Sequence, residues 1–265
     1  MNLRRNMNRL AIGVFSAVAC ALVPSSSAHA ATVYVLIQGT VEYNQFVSGT
    51  FAGVPAGAPV VMRIKLDSTQ FLNDPNGLPT RGYRFDYTKF AMTAGGVTAY
   101  LTPSVTTAYF VLRNNDPHVD GMFISTGTAN DVELPLQITP SGYGIGWKWT
   151  FNGQTTLNSL NLLDALGEYG YPNISVFNWA VQFGEVSYPM YFDPPTSGTS
   201  FALCLPGDTN ADHVTDVNDI PSFVDALLNG STALYASCAA DMNQDGSIDG
   251  ADVQAFTNCI MGGCP

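Results

Sequence analysis

Two twelve-residue stretches near the end of the chain have the residue types and spacing to hold a cation. The first reads Asp208-Thr209-Asn210-Ala211-Asp212-His213-Val214-Thr215-Asp216-Val217-Asn218-Asp219. The second, Asp241-Met242-Asn243-Gln244-Asp245-Gly246-Ser247-Ile248-Asp249-Gly250-Ala251-Asp252, follows 33 residues later. Each places Asp, Asn, Asp, Asp and Asp at loop positions 1, 3, 5, 9 and 12. A hard cation such as calcium takes six to eight oxygens, and a tight loop supplies them from alternating side chains, with a backbone carbonyl at position 7. That carbonyl belongs to Val214 or Ser247. The plain alternative is a solvated acidic surface. Against it, four Asp in twelve residues repel one another without a counter-ion, and the offsets are identical in both copies.

The elements that position these loops follow from the apolar spacing. After the first loop, Ile220, Phe223, Val224, Leu227 and Leu228 form one helical stripe; after the second, Val253, Phe256 and Ile260 do the same. Pro221 falls in the first turn of its helix, where a missing N–H does little harm. No helix is expected to lead into either loop, and Cys204-Leu205-Pro206-Gly207 cannot form one. Each unit is too small to bury its stripe alone, so the two should face each other.

The run from Gly207-Asp208 through Asp219-Ile220, repeated as Asp241 to Asp252-Val253, resembles a type I dockerin over residues 204–265. Two features separate it from an ordinary EF-hand: Asp at position 12 in place of a bidentate Glu, and no clear incoming helix. The resemblance implies a small α-helical module with two calcium ions. One would be held by Asp208, Asn210, Asp212, the Val214 carbonyl, Asp216 and Asp219. The other would be held by Asp241, Asn243, Asp245, the Ser247 carbonyl, Asp249 and Asp252. It also implies docking onto a cohesin-type module of a scaffold or cell surface, often in polysaccharide breakdown. The family's partner-choosing positions 10 and 11 are here Val217-Asn218 and Gly250-Ala251, which differ from each other and are not the Ser-Thr type.

Charge and cysteine usage agree with an exported module. Arg4, Arg5 and Arg9, the apolar run Leu10 to Val23 and Ala28-His29-Ala30 read as a secretory signal over residues 1–30. The alternative, a membrane anchor, is disfavoured because the run is short, and no later segment is apolar enough to span a bilayer. The remainder carries seven basic and 21 acidic side chains, with nine Asp and no base in residues 204–265. A basic groove for nucleic acid is therefore absent. Cys20 leaves with the signal; Cys204, Cys238, Cys259 and Cys264 all lie in the last 62 residues and read as disulfides, with three pairings possible. Zinc is the alternative, without the close CxxC spacing it favours.

Residues 31–203 read as β. Val33–Ile37, Val60–Leu66, Tyr109–Leu112, Gly146–Phe151 and Val176–Phe183 are short and rich in β-branched and aromatic residues. Asn152-Gly153 is a hairpin-turn dipeptide. The expected architecture is an antiparallel β-sandwich or jelly roll, with one short helix within Leu157–Leu166. Asp193–Ser200 reads as a linker, or as a loop before a last strand Phe201-Ala202-Leu203.

Chemistry is sparse in this domain. His118 sits between Asp116 and Asp120 as a metal ligand or, more simply, an exposed turn. A glycoside hydrolase needs two opposed carboxylates, for which Asp131, Glu133, Glu168 and Glu185 are available without a motif. Sugar binding would use exposed aromatic rings. Trp147 and Trp149 share one sheet face, which is either a binding strip or the buried face; in the latter case Glu168-Tyr169-Gly170-Tyr171-Pro172 is the remaining candidate loop. The expected function is calcium-dependent attachment of a secreted protein to a cohesin-type scaffold, linked to polysaccharide. The alternatives are a glycoside hydrolase carried by the module and a calcium-stabilised extracellular protein without a scaffold partner.

His213 holds position 6, where the sharp loop turn normally uses Gly, as Gly246 does. A left-handed backbone costs a residue with a Cβ about 1 kcal/mol, and His tolerates it better than most. The first loop should therefore bind calcium more weakly than the second. His213→Gly should tighten the first site about fivefold in a calcium titration, and an unchanged first-site affinity would refute the strain argument.

Overall fold

The computed structural model describes residues 30–171, 173–195, 198–231 and 233–264. The secretory signal expected over residues 1–30 lies outside the described residues except for Ala30. The chain is mostly antiparallel β with three helices near its end. No helix among the described residues is long and apolar enough to cross a membrane.

The strands are β1 (Thr32–Asn44), β2 (Pro59–Asn73), β3 (Thr80–Phe85), β4 (Ala91–Ala94), β5 (Val97–Ala99), β6 (Tyr109–Arg113), β7 (Gly121–Ser125), β8 (Leu134–Pro135), β9 (Gly144–Phe151), β10 (Gly167–Gly170), β11 (Ile174–Phe183), β12 (Ser187–Asp193) and β13 (Thr199–Cys204). Every pairing is antiparallel. Thr32 to Thr40 of β1 pair with β2, and the opposite edge pairs first with β13 and then, from Thr40 onward, with β12. β2 likewise divides its length, pairing Val60–Arg63 with β4 and Leu66–Asn73 with β3. Pairings through β3, β6, β7, β9, β11 and β12 return to β1, so the hydrogen bonding closes into a ring. Closure matters because an open edge exposes unpaired N–H and C=O groups.

One large apolar core fills the ring. Trp147, Trp149 and Trp179 are fully buried in it. Phe201 of β13 sits edge-on to both Trp147 and Trp149, each at 5.1 Å between ring centroids. The two tryptophans do share a sheet face, and it is the interior one. The strip of rings they would offer a sugar therefore does not exist. Tyr169, in the segment read as a binding loop, belongs instead to β10, stacked on Phe201 at 4.8 Å. Pro172 of that segment lies outside the described residues.

Two local expectations change, and a third is met. Leu157–Leu166 forms only a short 3-10 turn, Leu162–Ala165, capped by Asn161. Side chains take several of the backbone donors that a longer helix would use: Thr156 and Leu157 N–H groups donate to Asp120, and Leu162 N–H donates to the Tyr83 hydroxyl. That hydroxyl donates in turn to the Leu160 carbonyl at 2.6 Å. Asn152-Gly153 makes a turn, with Gly153 at φ 96°, but not a two-strand hairpin, since the chain next runs through the 3-10 turn to β10. Phe201-Ala202-Leu203 is indeed a strand, lying in β13 between β1 and β10.

The helices are α1 (Ile220–Asn229), α2 (Leu234–Ala240) and α3 (Asp252–Asn258). α1 and α3 face each other as the two stripes require, with Phe223 stacked on Phe256 at 3.8 Å and 4°. α2 is the element the spacing did not reveal. Its sequence, Leu-Tyr-Ala-Ser-Cys-Ala-Ala, is rich in the residue of highest helix propensity. It leads directly into Asp241, so the second loop does have an incoming helix. Leu234, Tyr235, Cys238 and Ala239 pack on Tyr34, Ala202 and Cys204, the outer face of β1 and β13.

The cysteines pair as Cys204–Cys238 and Cys259–Cys264. The first bridge ties α2 to β13 across a sequence separation of 34. A bridge closing a loop of that size stabilises by roughly 4 kcal/mol, chiefly by restricting the unfolded chain. Replacing Cys204 and Cys238 together by Ser should lower the stability measured by denaturant unfolding by about that amount, whereas Cys259→Ser with Cys264→Ser should cost clearly less.

Candidate metal loops

Both aspartate stretches fold into the same loop. Seven hydrogen bonds of the first recur in the second with every residue advanced by 33. Asn210 N–H donates to Asp219 at 3.0 Å and Asn243 N–H to Asp252 at 3.1 Å. Asp216 N–H and Asp249 N–H reach the other oxygen of the same carboxylates, each at 2.9 Å. His213 N–H donates to Asp208, and Gly246 N–H to Asp241, both at 3.0 Å. The carboxylates at positions 1 and 12 thus gather the two ends of each loop.

The backbone matches too. Position 4 is left-handed in both loops, with Ala211 at φ 61° and Gln244 at φ 62°. So is position 6, where His213 has φ 68° and Gly246 φ 96°. Position 6 therefore does require the conformation expected from the Gly in the second loop, and His213 adopts it with its Cβ in place.

Burial follows position. Asp208, Asp219 and Asp252 have no exposed surface and Asp241 has 6 %, while Asn210, Asp212, Asn243 and Asp245 are exposed. Positions 1 and 12 form the floor, and positions 3 and 5 form the open side. Residues 204–265 contain no Lys or Arg to offset these charges. Burial pushes the Asp219 and Asp241 carboxyls up from the ordinary carboxylate value, and Asp208 beside Asp219 adds to the rise at the first loop.

Groups from outside each loop meet its position-1 aspartate, and they differ. In the first loop, the Tyr235 hydroxyl of α2 donates to Asp208 Oδ2 at 2.6 Å. In the second, the Arg63 guanidinium of β2 lies 3.2 Å from Asp241 Oδ2 and partly offsets its raised pKa. Asp241 Oδ1 is buried with no hydrogen-bond partner.

The donor set suits a hard divalent cation. It consists only of oxygens, it carries four carboxylates per loop, and it leaves the buried Asp241 oxygen unsatisfied. The carboxylates now cap backbone N–H groups. An ionised carboxylate has about four lone-pair sites, so it can do that and still ligate. Among the described residues, no three His, Cys, Asp or Glu side chains already stand together in metal-holding geometry.

The other candidates disperse. His118 is exposed and shares a 3.2 Å contact with Gln154, while its neighbour Asp120 is buried and holds Asn115, Thr156 and Leu157 N–H groups. Asp131 pairs with Lys148 at 2.7 Å, and Glu133 accepts from Gly184 N–H at 2.8 Å. Glu168 accepts from Tyr235 N–H at 2.6 Å and from Thr199. Desolvation raises the pKa of Tyr188, and Glu185, Glu133 and Asp131 add to the rise. Glu168 instead anchors α2. No pair of these four is set apart as free opposed carboxyls.

Arg63 and Tyr235 are the loop contacts that motif spacing could not find, because each lies outside the loops in sequence. Comparison with protein-family models, with curated proteins and with solved structures finds no match to this chain.

A guanidinium beside a cation loop repels the ion it would admit. Removing one unit charge at this range is worth about tenfold in affinity. Arg63→Gln should tighten the second calcium site about tenfold by isothermal titration and leave the first unchanged. Weakened binding would instead assign Arg63 the task of ordering the loop.

Proposed function

We propose that this is an exported protein whose residues 204–265 form a dockerin-like module. That module binds two calcium ions and attaches residues 31–203 to a cohesin-type partner, in a polysaccharide-related or cell-surface assembly. On this reading the β ring is a flattened two-sheet sandwich. β10, β13, β1, β2, β4 and β5 make one layer, and the remaining pairings from β12 to β3 make the other. The first ion is held by Asp208, Asn210, Asp212, Asp216, Asp219 and the Val214 carbonyl. The second is held by Asp241, Asn243, Asp245, Asp249, Asp252 and the Ser247 carbonyl. Bound calcium supplies the positive charge that the buried carboxylates otherwise lack. In so small a unit, that binding energy is folding energy.

The single observation that carries the reading is the repetition of seven loop hydrogen bonds at identical offsets, around carboxylates at positions 1 and 12 with little or no exposed surface. A second observation supports docking. The apolar stripe of α1 does not all turn inward: Phe223 and Ala226 are buried, but Ile220, Val224 and Leu228 face solvent, in line with Val217 of the loop. Leu228 is 77 % exposed. A row of exposed aliphatic side chains beside loop position 10 is suited to a protein partner.

One observation favours the alternative in which calcium serves stability alone. The module does not hang from a free linker. It is held to the β ring by the Cys204–Cys238 bridge, the Arg63–Asp241 pair and a 3.2 Å bond from the Tyr34 hydroxyl to the Met242 carbonyl. The two readings separate in one experiment. The purified chain, immobilised, is offered the secreted proteins of its source in calcium and in EGTA. Docking predicts a partner retained in calcium and released by EGTA, and lost by Leu228→Asp while calcium titration of that variant is unchanged. Capture of no calcium-dependent partner, with calcium still raising the melting temperature, would leave the stability reading.

A further inference from the structure

Residues 31–265 contain seven basic side chains. Four are engaged. Arg63 and Lys148 form ion pairs. Arg81 bonds Asn73 and lies over the Phe71 ring, and Arg113 bonds Thr150 and lies over Phe123. The other three, Lys65, Arg84 and Lys89, line a single cleft of about 580 Å³. Among the described residues none of the three pairs with a carboxylate. Lys65 Nζ lies 5.9 Å from the Tyr34 ring, and Arg84 donates to the Thr106 carbonyl at 3.3 Å.

The cleft is mixed in character. Buried Leu66 and Phe85 and half-buried Tyr87 supply apolar surface among the cations. Asp67 and Asp86 also line it, yet each directs Oδ1 to its own turn. Asp67 accepts from Thr69 N–H and hydroxyl at 2.8 and 2.6 Å, and Asp86 from those of Thr88 at 2.9 and 2.6 Å. These turns fix the orientation of both carboxylates, which keep their charge and offset part of the positive charge of the lining.

We propose that this cleft binds an acidic saccharide, a sugar chain bearing carboxylate groups. Three cations against two carboxylates leave the cleft lining one net positive charge in a strongly acidic protein, which favours an anion of low charge density. The volume falls in the range of sites that enclose an organic ligand rather than a small inorganic ion. Asp67, Asp86 and Gln70 are acceptors suited to hydroxyl groups, and the two carboxylates disfavour a polyanion of dense charge. The ligand that fits has anionic groups spaced by hydroxyls, with a ring face to lie on Tyr87. The inference does not rest on the calcium-loop reading: the lining residues all fall between Thr32 and Lys89.

The test uses residues 31–265, titrated calorimetrically in EGTA so that calcium cannot bridge ligand and protein. Tetragalacturonate should bind saturably and more weakly as salt rises. Arg84→Gln and Lys89→Gln should each weaken it about tenfold, with the melting temperature unchanged because both side chains are exposed. Lys148→Gln, outside the cleft, should have no effect on binding. Cellotetraose and sulfate should bind at least tenfold more weakly than tetragalacturonate. Equal affinity for cellotetraose, equal affinity for sulfate, no saturable tetragalacturonate binding, or affinity unmoved by both cleft substitutions would each overturn the proposal.

Discussion

A carboxylate with no exposed surface must find compensation, since desolvating an isolated charge costs far more than any single contact returns. Asp208, Asp219 and Asp252 are in that position, and Asp241 nearly so. Part of the compensation is local: backbone N–H groups of each loop converge on its position-1 and position-12 carboxylates. The rest comes from elsewhere in the fold. Tyr235 reaches Asp208 from α2, and Arg63 reaches Asp241 from β2. The same constraint that shapes the loops therefore decides where they sit.

α2 is the hinge of that arrangement in the literal sense of a shared part. Tyr235 donates its N–H to Glu168 of β10 and its hydroxyl to Asp208, while its ring is buried against the β1 and β13 face. Burial with the hydroxyl held by Asp208 pushes its pKa well above the ordinary tyrosine value. Tyr34, on the other side of this contact, is raised to about 12 by burial first and by Asp241 and Asp252 second. Two buried phenols thus stay neutral and donate to the loop region at any physiological pH. The loop region resting on them is continuous with the β ring.

The β ring owes its form to strands that serve two neighbours on one edge. β1 is covered on both faces: Val33, Val35 and Ile37 point into the main core, and Tyr34 lies under α2. That explains why Val33 to Ile37 is a continuous apolar run rather than an alternating one. It also explains the fate of the tryptophans. With the ring closed, the large faces turn inward, and the polar surface left for ligand contact includes the cleft where Lys65, Arg84 and Lys89 meet.

The paired loops, the helix after each and the β character of residues 31–203 were legible from residue order alone, because each is a local property. Loop ligands recur at fixed offsets, amphipathic helices at 3.6 residues and strands at two. The left-handed position at His213 was legible for the same reason, through its Gly counterpart. Burial was not. Whether Trp147 and Trp149 faced solvent, and which half of the α1 stripe turned inward, depended on what lay opposite. α2 escaped notice because seven residues make only about two turns, too few for its apolar face to repeat along the chain; its seat on β13 holds it. The disulfide pairing, the engagement of Glu168 by α2, and the meeting of Arg63 with Asp241 across a sequence separation of 178 were settled only when the ring closed and brought distant segments together. Contacts of that kind depend on three-dimensional proximity, and no spacing along the chain encodes them.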